Sequence, residues 1–257
     1  MFTFTMPSRA ALQPGRRGRV FDHGSDPTIQ PRFIACSVLW INANPLSFRL
    51  MIDQISEKIA QHSKLSVGRI LVVGVSGIDG SGKSTFAKSL TQSLIHLGLA
   101  AEYLDLDDFL NPTTIRHKNS NQIDGYFEDN FDFASLEERI LDPARQSTQI
   151  ECKLPVLELE SDQIVERPFQ FVGPGVLIIE GVFLFRKELR EKFDFRIWLE
   201  VDFETAMNRV LDRPRDKRYG NMEAIRTRYE TRFFPTQRFH LERDQPSRFA
   251  DLIIDAA

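Results

Sequence analysis

The segment Gly77-Ile-Asp-Gly-Ser-Gly-Lys-Ser84 satisfies the phosphate-loop pattern G-x-x-x-x-G-K-[ST] at every defined position. Its flanks narrow the choice of fold further. Ile70 to Val75 is an almost unbroken apolar run with valines at 72 and 73, as a strand buried on both faces requires. Thr85 to Leu97 sets Phe86, Leu90, Leu94 and Leu97 on one helical face, and Gly98 closes it. Strand, glycine loop and helix in this order predict an α/β domain with a phosphate site at the loop.

The chemistry expected of the loop follows from its residue types. Gly77, Gly80 and Gly82 let the backbone turn its N–H groups inward around phosphate oxygens, with Ser81 carried between them. The helix that starts near Lys83 points its positive end at the same place. Lys83 adds a full charge, Ser84 offers a hydroxyl to Mg²⁺, and Thr85 completes the stretch on which Mg-ATP is expected to sit. The pattern does not explain Asp79, which either faces the reacting phosphate or solvates the loop.

With 257 residues the chain suits one α/β domain with some decoration. No apolar stretch approaches the length of a membrane span. A formal charge of −3 gives no reason to expect a nucleic-acid partner. The two cysteines, Cys36 and Cys152, have no metal-ligand spacing and suit a reducing cytosol, so a cytoplasmic location is expected. Residues 1–50 differ from the rest. They hold six arginines, no lysine and two acidic residues, five prolines and no sustained period. They are expected to be disordered, a targeting segment or a non-native extension, with the domain running from 51 to 257. Met51 opens an amphipathic helix with Ile52, Ile55 and Ile59 on one face.

Beyond the loop, Ala101 to Phe109 reads as a second strand with acids at its C-terminal end, the edge where open parallel sheets bind ligands. Asp107 and Asp108 are thereby expected near the loop. A carboxylate there can accept the proton of an attacking hydroxyl or hold Mg²⁺ through water. Residues 111–131 read as a long polar loop ordered by Tyr126, Phe127 and Phe131, with His117 an ordinary loop histidine. Ser135 and Glu138 suggest a capping box for a helix ending before Pro143. Residues 150–172 suggest a hairpin or flap. Gly175 to Gly181 is a buried strand that delivers Glu180 to the ligand edge, and Phe195 to Asp202 is another. The basic run from Arg209 through Arg213 and Arg218 to Gly220 reads as a lid whose arginines neutralise a transferring phosphoryl group. A helix from about Glu223 is expected to break or kink at Pro235, and Asp251 to Asp255 suits a final strand.

These residues resemble the uridine kinase-like P-loop kinases, related to phosphoribulokinase and bacterial pantothenate kinase. The likeness runs over roughly residues 68–257. It rests on the phosphate loop, on Leu104-Asp-Leu-Asp-Asp-Phe109, on Ile178-Ile-Glu-Gly181 and on the arginine lid. It rests also on a tail carrying Arg228-Tyr229, Pro235, Gln237-Arg238-Phe239 and Asp251 to Asp255. The resemblance implies a P-loop NTPase fold, a five-stranded parallel sheet between helices with a β flap and an arginine lid. It implies transfer of the ATP γ-phosphate to a small-molecule hydroxyl, with a nucleoside 5′-hydroxyl favoured. By position Asp107 resembles the family's catalytic base, Lys83 and Ser84 its phosphate and Mg²⁺ residues, Glu180 an acid near the metal, and Arg213 and Arg218 lid arginines. The flap departs from the pattern: Pro155-Val156 is followed by Leu157, and the histidine position falls near Asp162. Two alternatives stay open, a kinase of a pantothenate-like or ribosyl compound and a P-loop ATPase switch. No Asn-Lys-x-Asp segment supports a GTPase.

Overall fold

The computed structural model describes residues 45–66 and 68–256. In chain order these form α1 (Pro45–Leu65), β1 (Leu71–Gly77), α2 (Lys83–His96), β2 (Ala100–Asp105), a 3-10 turn (Leu106–Phe109), α3 (Thr113–Arg116) and α4 (Gln122–Glu128). Next come α5 (Phe133–Leu136), α6 (Asp142–Gln146), β3 (Gln149–Glu158), β4 (Gln163–Val172), β5 (Gly175–Gly181), β6 (Phe195–Glu200) and α7 (Phe203–Asp212). A second 3-10 turn (Pro214–Tyr219), α8 (Met222–Arg228), α9 (Phe234–Asp244) and β7 (Leu252–Asp255) complete the chain.

The sheet is five-stranded in the order β2-β5-β1-β6-β7, and every pairing in it is parallel. Alternation along its strands divides the core. Leu71, Val73 and Val75 with Val176, Ile178, Ile197, Leu199, Leu252 and Ile254 face α1 and α2. Val72, Leu177, Ile179 and Trp198 belong to the opposite face, where Phe86's counterparts are Phe127, Phe183, Phe185 and Tyr229. Both faces are covered, which explains why the central strands are apolar without interruption. β3 and β4 stand apart as an antiparallel hairpin, the expected flap.

Several local expectations need correction. The first helix begins at Pro45, and Pro is compatible with a helix's opening turn. Residues 45–50, expected to belong to the extension, are therefore helical, and Met51 is buried inside α1 beside Ile52, Ile55 and Ile59. Residues 1–44, and the expectations about them, lie outside the described residues. The second strand ends at Asp105, whose side chain accepts from the Asp107 N–H at 2.9 Å and turns the chain into the 3-10 turn. The polar stretch after it contains α3 and α4, and Leu97 is exposed at the end of α2.

The cap of α5 is Asp132, which accepts from the Ser135 N–H at 2.9 Å; Ser135 itself is inside the helix. The helix expected to end before Pro143 does not end there, and the helix from about Glu223 does not break at Pro235. A π-helical turn at Glu137–Leu141 joins α5 to α6 with Pro143 just after it, and another at Tyr229–Phe233 joins α8 to α9 with Pro235 just after it. The wider turn removes the need for the N–H that proline lacks and relieves its ring from the carbonyl one turn back.

Arg186 joins the segment after β5 to α4. It is buried, donates to the Phe127 carbonyl at 3.2 Å and to Glu128 at 2.7 Å, and stacks 4.4 Å over the Phe127 ring. Behind it, buried His240 bonds Asp244 through Nδ1 at 2.7 Å, and its ring meets Phe183 edge-on. Burial holds His240 below its ordinary pKa against the opposing pull of Asp244. Below the unfolded value of about 6.5 the unfolded chain gains a proton that the fold refuses, so stability falls as pH falls. As pH falls through about 6.5 the wild type is expected to lose more stability than His240→Asn. Parallel denaturation-against-pH curves for the two proteins would contradict this.

Candidate active site

The register of the sheet brings the acidic strand ends to the phosphate loop. Asp105 pairs with Glu180 across β2 and β5, and Val75 pairs with Glu180 across β1 and β5. Glu180 is buried yet accepts the Ser84 hydroxyl at 2.6 Å and the Tyr103 hydroxyl at 3.1 Å. Burial first, then the charge of Asp105, pushes its carboxyl up to about 7, against the opposing pull of Lys83 and the Ser84 bond. Tyr103 is raised in turn by burial and by Glu180 and Asp105.

The loop is anchored from two other elements. Gly80 has a φ of 83°, and a Cβ there would lie 2.6 Å from the Ala206 carbonyl oxygen on α7. Arg209, also on α7, donates to the Gly80 carbonyl at 3.2 Å and to the Ala256 carbonyl at 2.6 Å. The member of the basic run expected to be a lid arginine is thus a brace for the loop. From α9, buried Gln237 accepts from the Asp79 N–H at 3.0 Å and donates to the Asp79 carboxylate at 2.8 Å. Asp79 is therefore held by the protein instead of solvating the loop. Lys83 Nζ donates to the Ile78 carbonyl at 2.9 Å across the loop's mouth.

A cavity of about 540 Å³ opens on the loop, lined by Asp79, Gly80, Gly82, Lys83, Ser84 and Thr85 together with Asp105, Asp107, Glu180 and Arg213. Gly77 and Ser81 do not line it; Ser81 is buried, and Gly77 lets β1 pass close to Leu199. A second cavity of about 280 Å³ adjoins the first and shares Asp79, Asp107 and Tyr126 with it. Arg218 lines this second cavity, its guanidinium donating to the Tyr219 hydroxyl at 2.8 Å, whereas Arg213 lines the first and pairs with buried Asp216 at 3.7 Å. The two expected lid arginines thus serve different cavities. Burial and the charges of Asp79 and Asp107 raise the Tyr126 hydroxyl far above its ordinary value. Asp105, Tyr103, Gln237 and Lys88 complete the surroundings and escaped the sequence reading. Of these, Asp105 carried a signal as an acid at a strand end, and Gln237 as part of the family-like tail.

The donor set suits a hard divalent cation. The Ser84 hydroxyl lies on the Glu180 carboxylate, Asp105 stands beside it, and burial, then the charge of Asp105, drives the Glu180 carboxyl toward protonation. Among the described residues no group of three or more His, Cys, Asp or Glu could hold a metal alone. Also among the described residues, no helix is long and apolar enough to cross a membrane.

A braced phosphate loop at the carboxyl edge of a parallel sheet, with a second cavity beside it, defines a P-loop α/β protein with room for two ligands. The family model described as phosphoribulokinase / uridine kinase family matches residues 72–255, and the chain belongs to that family of P-loop kinases. The uridine kinase of Alkaliphilus metalliredigens (strain QYMF) is 24% identical over 194 residues, covering 73% of this chain and 88% of that protein. The structure titled a possible uridine kinase from Bacillus stearothermophilus superposes with a TM-score of 0.62 at 25% identity, over 82% of this chain and 99% of the other. D-glycerate 3-kinase from Cryptococcus neoformans var. grubii shares the fold at a TM-score of 0.59 and 14% identity, over 80% and 96% of the two chains.

Gly80→Ala is expected to cost about 2 kcal/mol of stability and to abolish nucleotide binding, because strain and the Ala206 contact both oppose a Cβ. Unchanged denaturation and unchanged nucleotide titration would contradict the brace.

Proposed function

We propose that this chain transfers the γ-phosphate of ATP to the hydroxyl of a small molecule, with Asp107 as general base. One observation carries the proposal: Asp107 lies on the wall shared by the phosphate-loop cavity and the cavity beside it. A phosphate donor held on one side and a hydroxyl held on the other meet at that carboxylate.

The steps follow from the residues. The loop N–H groups, the start of α2 and Lys83 hold the donor's phosphates. Ser84 and Glu180 would hold Mg²⁺, which supplies charge neutralisation between the donor's phosphate oxygens. Asp107 is exposed at the cavity wall and takes the acceptor hydroxyl's proton. The acceptor oxygen bonds the γ-phosphorus as the bond from that phosphorus to the β–γ bridging oxygen breaks, and ADP departs. Arg213 offsets charge on the transferring group, while Arg218 closes the acceptor side and limits water.

The names of the relatives support a nucleoside as acceptor, through its 5′-hydroxyl. The flap favours a second reading, another hydroxyl compound. Asp162, near the position where the family's histidine is expected, sits at the flap tip with a φ of 56°. It accepts from the Thr113 N–H at 3.0 Å and from the Thr113 hydroxyl, and pairs with Arg116 at 3.5 Å. That carboxylate caps α3, and Leu157 is buried. Neither is presented to read a base. An ATPase switch is opposed by the second cavity, which nucleotide hydrolysis alone does not need.

Lys83→Ala is expected to abolish transfer. Asp107→Asn is expected to lower kcat by about 10²- to 10⁴-fold with ATP affinity little changed. Near-normal turnover in Asp107→Asn removes it as the base.

A further inference from the structure

Beyond Asp107 and Tyr126 the second cavity continues into a larger one of about 890 Å³, and Arg116, Arg228, Arg232 and Tyr219 line both. The three guanidinium groups converge from α3, from α8 and from the π-helical turn after it. Arg232 lies 5.4 Å over the Tyr126 ring, and Arg228 lies 4.6 Å over the Tyr219 ring. Arg116 and Arg232 are half-buried and Arg228 is exposed beside them; like charges brought together there repel, and a fold tolerates this where a counter-charge is supplied.

The smaller cavity also carries Asp79, Asp107 and Asp216, of which Asp79 is held by Gln237 and Asp216 pairs with Arg213. Among the described residues the one ion pair in this group is Arg116 with Asp162, at 3.5 Å and at the far, flap-tip side. Arg116 Nε and Arg232 Nε are both buried with no hydrogen-bond partner. Arg232 Nη1 meets His117 Nε2 at 3.3 Å, a ring that burial and the three arginines hold below its ordinary pKa, so it brings no negative charge. Glu223 is the one carboxylate among the described residues that line the larger cavity. Arg232 is itself lowered by burial and then by Arg228, the mark of cations held close together.

The position of the cluster decides what its anion is. None of these three arginines lines the phosphate-loop cavity, where Lys83 and Arg213 serve the donor. They lie across Asp107 from it, on the acceptor's side. We infer that the acceptor carries an anionic group, a carboxylate or a phosphate, held by Arg116, Arg228 and Arg232 while its hydroxyl is directed at Asp107. Planar guanidinium forks suit both oxyanions. The acceptor class is thus a hydroxy acid or a phosphorylated hydroxyl compound, and an uncharged nucleoside leaves the cluster uncompensated. The inference rests on the kinase reading and narrows its second acceptor class.

The test uses the full chain with Mg²⁺ and saturating AMP-PNP, a non-hydrolysable ATP analogue that fills the phosphate-loop cavity. Glycolate and inorganic phosphate are then titrated in separate arms by calorimetry, against wild type, Arg228→Gln and Arg232→Gln. At least one anion is expected to bind the wild type, and each variant to weaken it about tenfold or more. The glycolate arm marks a carboxylate acceptor and the phosphate arm a phosphorylated one. AMP-PNP affinity is expected to be the same in all three proteins, which also establishes that the variants fold. AMP-PNP binding without binding of either anion, or with equal anion binding in the variants, overturns the inference and leaves the kinase reading standing. Failure of the wild type to bind AMP-PNP overturns both.

Discussion

The alignment of β5 between β1 and β2 sets almost everything about this site. Parallel pairing ends the three strands level, so Glu180, Asp105 and the start of the phosphate loop arrive together. Burial at this edge, and then the charge of Asp105, push the Glu180 carboxyl toward neutrality against the opposing pull of Lys83. The Ser84 and Tyr103 hydroxyls meet part of the demand. A phosphate-bound divalent cation would meet the rest. The edge is thus built for a ligand whose charge complements it, and the loop, braced by Arg209 and Gln237, is rigid enough to hold that ligand in one place.

Much of this was legible in the sequence because the signals are local. The phosphate loop is contiguous, its strand and helix flank it directly, and Glu180 follows four apolar residues. The five-stranded sheet and the flap were implied by the family resemblance and are present. What could not be read depends on residues far apart in the chain. Gln237 holds Asp79 from 158 positions away, and Arg209 looked like one more lid arginine until its partners proved to be backbone carbonyls. The prolines misled for a physical reason. Proline's missing N–H is fatal to a regular α-helix but not to a π-helical turn, and composition does not reveal which will form.

The acceptor side was the least legible. Arg116 lies far in sequence from Arg228 and Arg232, which are neighbours one turn apart in a single helical stretch, and α3 and that stretch bring the three to one wall. The histidine beside them reads as a loop residue from its neighbours in sequence, and as part of a cation cluster from its neighbours in space. The phosphate-loop cavity thus follows from a short motif, and the arginine-lined wall from helix packing. This division is physically sensible: triphosphate chemistry is common to many proteins of the fold, while the acceptor is what distinguishes one from another.

As proposed, the loop holds a donor for transfer to a second molecule. The most direct measurement follows the label of γ-labelled ATP when the full chain and Mg²⁺ are incubated with nucleosides, hydroxy acids and phosphorylated hydroxyl compounds. Label is expected in an organic product, dependent on the acceptor supplied, with release of inorganic phosphate at background. Label recovered only as inorganic phosphate, at the same rate with and without acceptors, would contradict it.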